Sequence, residues 1–191
     1  AGATGFEGIG NFPDAFTSFA NLVVFGLPVP LLVFLAATLF FWLLMHRSRT
    51  GRNVFLIGQN SRVARYGALP VSRTVFALYG MTGLASAVAA ILMASYFGSA
   101  RSDLGNALLM PAITAVVLGG ANIYGGSGSV VGTALAALLV GYLQQGLQMV
   151  GIPNQVSSAL SGALLVVVVM GRSLSLHREW VRSLFRKLSG A

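Results

Sequence analysis

The chain has 191 residues, of which 55% are apolar and only 8% charged, and its mean hydropathy is +0.80. Soluble domains carry about 25% charged residues; 12 Lys+Arg and 4 Asp+Glu cannot cover a water-facing surface of this size, which excludes an ordinary soluble enzyme and points to a polytopic membrane protein. The absence of cysteine excludes disulfides, thiol nucleophiles and thiolate metal sites, and two histidines leave little for zinc or haem.

Residues 1–25 hold no Lys or Arg and no continuous apolar run, so no signal peptide is expected. Residue 1 is Ala rather than Met, which together with the span count below leads to the expectation that the sequence is a piece of a longer one. A membrane span needs roughly 20 mostly apolar residues. The first such run, 26–45, ends in Phe40, Phe41 and Trp42 ahead of His46, Arg47 and Arg49, the order of an aromatic belt beside a basic cytoplasmic flank.

Between Arg47 and Arg73 lie six arginines and no acid. Arg62-Val63-Ala64-Arg65 predicts a short helix there, stopped at Gly67 with Pro70 beyond. Such a basic loop either lies on anionic lipid or docks a soluble partner. The second span, 74–97, returns outward. The third segment, 107–123, carries Pro111 and ends at Gly119-Gly120, the composition of a short or broken helix. A full crossing is preferred over a re-entrant segment because it keeps the count odd and both basic blocks on one side. The fourth span is 130–150, Gly151-Ile152-Pro153-Asn154 reads as a turn, and 156–171 is the fifth.

In the tail, 172–191, Val181, Leu184, Phe185 and Leu188 follow helical spacing while Arg178, Arg182 and Arg186 share another face, as in a basic amphipathic helix lying at the cytoplasmic interface. The expected architecture is therefore an all-α transmembrane bundle over residues 1–171 with about five spans, the N-terminus outside and the C-terminus inside. The positive excess of +8 flanks the spans, so its partner is the lipid bilayer rather than nucleic acid.

None of the five runs contains Asp, Glu, Lys, Arg or His. Gradient-coupled carriers and intramembrane acid–base enzymes use ionisable groups at membrane depth. An enzyme is therefore not expected, nor a catalytic or metal site; any transport draws its energy from another subunit or needs none. The rival is a membrane scaffold, or the remnant of a truncated gene, that transports nothing.

Small residues recur every fourth position at Ser86, Ala90, Ala94 and Gly98, and again at Thr133, Ala137 and Gly141, which suits close helix packing or a pore-lining face. Gln144 and Gln148 share a face of the fourth span and serve either as interhelical hydrogen-bonding groups or as contacts for a hydroxylated ligand. The stretch from Gly119 to Thr133 is not a phosphate loop, because Gly125 is followed by Gly126 and Ser127 where Lys is required, and Val131 breaks the dinucleotide pattern. Gly119, Gly120, Gly125, Gly126, Gly128 and Gly132 instead fit an unwound turn between closely packed helices, with Asn122 and backbone carbonyls open to a passing substrate.

Two motifs, TGR-x4-IGQN-x3-A-x2-G (Thr50 to Gly67) and AVVLGG-x4-GG-x-G-x3-GT (Ala115 to Thr133), resemble the C-terminal half of the permease subunits of ribose-type ATP-binding cassette importers, and the likeness extends over nearly the whole chain. The resemblance implies about ten spans in a complete member, so that roughly the first half is missing here. It also implies a second permease subunit, two ATP-binding subunits, a periplasmic solute-binding protein and a multi-pass location in the bacterial inner membrane. No cofactor is implied in this chain, ATP being used by the partner. Carried over by position, the ATPase-coupling loop is Gly58, Asn60, Ala64 and Gly67, flanked by Arg62 and Arg65. Val63-Ala64 stands where the family usually has Ala-Ala, and Gly67-Ala68 where it usually has Gly-Ile. The implied cargo is a small neutral furanose-like molecule, or else ribose or another monosaccharide.

Overall fold

The computed structural model describes residues 10, 12–24, 26–100, 105–153, 156, 159–160 and 162–170, and the tail expectation for 172–191 lies outside them. The chain separates into two compact units, residues 1–108 with 124–131 and residues 109–123 with 132–191.

The first unit begins with α1 (Asp14–Phe19), followed by a two-residue antiparallel ladder, β1 (Val23–Val24) against β2 (Leu27–Pro28). This ladder is a small departure from an all-α expectation. It turns at Gly26, whose positive φ of +79° suits a residue without Cβ. α2 (Val29–Arg47) starts three residues later than the apolar run because Pro28 and Pro30 favour extended entry and the first helical turn. Its 19 residues span about 28 Å at 1.5 Å per residue, enough for the hydrocarbon core.

The stretch expected as a loop with one short helix is almost wholly helical. α3 (Arg49–Gln59) was not anticipated; it starts where the Ser48 hydroxyl accepts from the Gly51 amide at 3.1 Å, an N-cap contact, while donating to the Leu44 carbonyl at 2.5 Å. α4 (Ser61–Tyr66) is the short helix the Arg62–Arg65 pattern predicts. It ends differently from expectation: Gly67 keeps an ordinary φ of −78°, and the left-handed residue is Ala68 at +55°. The Leu69 amide reaches the Ala64 carbonyl at 3.1 Å and the Ala68 amide reaches that of Arg65 at 3.1 Å, the paired bonds of a Schellman stop.

α5 (Val71–Phe97) begins directly after Pro70 and runs 27 residues, about 40 Å, with Gly98 left-handed at its end. α1 is strapped to its C-terminal end through Ser95, which is 1% exposed. The Ser95 hydroxyl donates to the Phe16 carbonyl at 2.5 Å and accepts from the Ala20 amide at 3.0 Å. Along their middles α2 and α5 face an apolar groove of about 760 Å³.

The first stretch of the first unit ends in a 3-10 turn, Asn106–Leu108, and the second unit opens with α6 (Leu109–Leu118). The expected third span is thus a ten-residue helix of about 15 Å, half the hydrocarbon thickness. It stops by the same device as α4. Gly120, at φ +98°, donates to the Val117 carbonyl at 3.1 Å, and Ala121 donates to that of Val116 at 3.1 Å. α7 (Val130–Met149) is long and apolar enough to cross, as are α2 and α5. Within this unit Ala115 of α6 packs with Ala136 and Val140 of α7, with Leu118 and Ala137 alongside. Of the expected fifth span, residues 162–170 are helical.

Candidate functional site

The basic arm between α2 and α5 is a folded element. α3 turns back on the end of α2 at Gly51, which is buried and where a Cβ would overlap the Met45 carbonyl. The same corner carries a short aromatic ladder, His46 stacking on Trp42 at a centroid distance of 6.1 Å and meeting the edge of Phe55 at 6.4 Å. α3 and α4 both pack on α5. Arg47, Arg49, Arg52, Arg62, Arg65 and Arg73 are all exposed, so the arm presents a cationic surface with no acid in its own sequence to neutralise it.

The structure places the anticipated arm residues in distinct roles. Asn60 joins the two helices as the N-cap of α4, its Oδ1 accepting from the Arg62 amide at 3.0 Å and the Val63 amide at 3.2 Å. Ala64 is buried, 6% exposed, on the inner face of α4, whereas Arg62 and Arg65 face solvent. A hollow of about 290 Å³ lies between the two helices, lined by Leu56, Gln59, Asn60, Val63, Ala64, Gly67 and Leu69. Gly58, in the last turn of α3, meets the turn formed by Gly125 and Gly126. Two motifs far apart in the sequence are therefore in contact. Gln59 belongs to this contact and was a fixed position of the IGQN motif without being singled out as a site residue; the capping roles of Ser48 and Asn60 were not anticipated from the sequence.

The second unit holds the remaining candidates. Gly119 faces α7 so closely that a Cβ would overlap the Thr133 backbone and stand 2.7 Å from the carbonyl carbon of Gly132. Asn122 is exposed and lines a hollow of about 320 Å³ with Ala112, Ile113, Val116, Val117, Ala121 and Ile123. Gln144 is half-buried and Gln148 exposed on α7, and neither lines that hollow. The three polar candidates are therefore not gathered into one recess. Gly128 is half-buried in the turn. Among the described residues no group of His, Cys, Asp or Glu could hold a metal ion.

Apolar helices of spanning length, a close small-residue contact between α6 and α7 and a cationic folded arm between α2 and α5 define a helical membrane protein. Residues 1–169 match the family described as the permease component of the branched-chain amino acid transport system, and the chain belongs to that family. It is 77% identical over 187 residues to the autoinducer 2 import system permease protein LsrD of Enterobacter sp., covering 98% of this chain and 57% of the relative. The proteins of the same description from Klebsiella pneumoniae and Yersinia enterocolitica are 76% and 73% identical, over 98% and 95% of this chain and 57% and 56% of their own lengths. The chain thus spans little more than half the length of the curated relatives it matches. No solved structure matches it significantly.

Proposed function

We propose that the chain forms part of a permease subunit of an ATP-binding cassette importer that passes autoinducer-2, a small furanose-like signal, across the bacterial inner membrane. The observation carrying this reading is the 73–77% identity, over nearly all of this chain, to permeases of autoinducer 2 import. The cargo would pass along neutral helices by amide and backbone contacts, with Asn122, Gln144 and Gln148 as candidates for the path. No Asp, Glu, Lys, Arg or His lies in α2 from Val29 to Met45, in α5 from Thr74 to Phe97, or in α6 and α7, which favours a source of energy other than a proton or ion gradient.

The energy then comes from outside the spans. The α3–α4 arm supplies a rigid cationic surface, and the ATP-binding subunits press on it through Gly58, Asn60, Arg62, Ala64, Arg65 and Gly67. In this reading the N-terminus lies outside and the basic arm inside. Residues 107–123 complete the third of five crossings as the short helix α6 followed by non-helical backbone. Such backbone is tolerated at membrane depth only where protein or water surrounds it. The complete importer includes a second permease subunit, two ATP-binding subunits and a periplasmic solute-binding protein, and the tail, 172–191, lies on the inner leaflet.

The test combines uptake and assembly. Membranes carrying the assembled importer should accumulate labelled autoinducer-2 and not ribose; preference for ribose would assign another cargo, and no ligand-dependent uptake would leave a scaffold or remnant. Reversing both charges, Arg62→Glu with Arg65→Glu, should lower ATPase co-purification at least tenfold while membrane insertion stays intact. Normal co-purification of that double variant would remove the arm from the docking role.

A further inference from the structure

Three glycines close one contact without any side chain between the two backbones. A Cβ on Gly58 would stand 2.6 Å from the Gly126 nitrogen and 3.1 Å from its Cα, and one on Gly125 would stand 2.9 Å from the Gly58 carbonyl oxygen. On Gly126 it would meet Gln59 at 2.5 Å from Cγ and 3.0 Å from Cα. Cβ atoms do not approach other heavy atoms closer than 3.0 Å, so the two backbones interlock only because these positions lack one. Gly125 and Gly126 also have φ of +89° and +78°, which an L side chain would strain.

The position of this interlock gives it a mechanical meaning. Gly58 lies in the last turn of α3, two residues before the Asn60 cap that starts α4, so it sits at the junction of the two arm helices. Four residues beyond Gly126 the chain enters α7 at Val130. Side-chain contacts yield by changing rotamer, whereas abutting backbones must move together.

We infer that Gly58, Gly125 and Gly126 are positioning residues that turn a push on the α3–α4 arm into a displacement of the start of α7. This rests on the ATPase-driven permease reading above. The interlock stays closed through the cycle and moves as one body, and α7 is the span that it drives.

The test is the coupling ratio, labelled autoinducer-2 taken up per ATP hydrolysed, in membranes carrying the assembled importer. Gly125→Ala, on the side of the contact outside the docking arm, should keep ATPase co-purification and ATP hydrolysis within about twofold of wild type while uptake falls at least tenfold. Gly83→Ala, at a glycine of α5 whose Cβ position has no atom of the described residues within 4 Å beyond its own helix backbone, should leave both unchanged. Wild-type uptake in Gly125→Ala would overturn the inference and leave the permease reading intact; a wild-type importer that neither binds an ATPase nor takes up the signal would overturn the permease reading itself. A second measurement holds even where Gly125→Ala fails to reach the membrane. This chain has no cysteine, so the pair Gln59→Cys and Ser127→Cys, which borders the contact and leaves all three glycines in place, is open to selective cross-linking. Uptake compared in the same protein before and after oxidation should be unchanged. Loss of uptake on oxidation, restored by reduction, would mean that the contact must open and would sink the inference.

Discussion

Ser86, Ala90, Ala94 and Gly98 recur every fourth residue along α5, and Thr133, Ala137 and Gly141 do so along α7. In α7 that face is used: Ala137 packs beside Ala136 and Val140 against Ala115 and Leu118, and the Thr133 backbone fits against Gly119. In α5 Ser86 and Ala90 are exposed, and the helix is buried only near its ends at Val71, Thr74 and Ser95. Lipid offers no hydrophobic force between helices, so a small-residue stripe marks only where close approach is sterically possible. A recess on a second helix decides whether it happens, and α6 supplies one at Gly119. Among the described residues of its own unit α5 meets none along its middle, where it borders the apolar groove shared with α2.

The contrast breaks most sharply at Gly119. Gly119→Leu drives a side chain into the backbone of Thr133 and Gly132, which no rotamer can avoid, at an expected cost of 3 kcal/mol or more (about the upper end for overpacking). Membrane accumulation and the melting temperature in detergent should both fall; wild-type values for both would remove the α6–α7 packing account. Next comes the one well-anchored point of α5. Ser95→Ala removes the hydroxyl that joins the half-buried Phe16 carbonyl and the buried Ala20 amide to α5, at a cost of about 1 kcal/mol. Limited proteolysis should then nick residues 12–22 faster in the variant, and an unchanged rate would mean that α1 is held by something else. The smallest effect belongs to the stripe itself. Ala90→Leu on the exposed middle of α5 should alter this chain's own stability by less than about 0.5 kcal/mol. A clear drop in melting temperature would place an unrecognised partner surface of this same chain on that face.

Much of the helical plan was legible because it rests on one-dimensional quantities. Run length and arginine placement bounded α2 and α5 to within three residues, since a span needs a fixed apolar length; the prolines at 28, 30 and 70, which restrict the first turn, account for where the helices in fact begin. The α4 helix was legible from Arg62 to Arg65, but α3 was not: its Gly51, Asn53 and Gly58 lower helix propensity, and contacts with α2 and α5 outweigh that penalty. The stop of α4 was misplaced by one residue because glycine is the usual left-handed residue, while here the hydrogen bonds at Ala64 and Arg65 put Ala68 in that conformation.

The candidate site divides along the same line. Composition and residue order determined that the chain belongs in a bilayer, that its long runs carry no Asp, Glu, Lys, Arg or His and that six of its arginines collect between two of those runs, because solvation and charge are properties of each residue by itself. That Gly58 of the arm abuts Gly125 and Gly126, that Gly119 is the recess for α7 and that Asn122 stands apart from Gln144 and Gln148 were decided only by the tertiary structure. Close approach of two backbones depends on what both segments lack, and a sequence records the glycines without recording which of them meet.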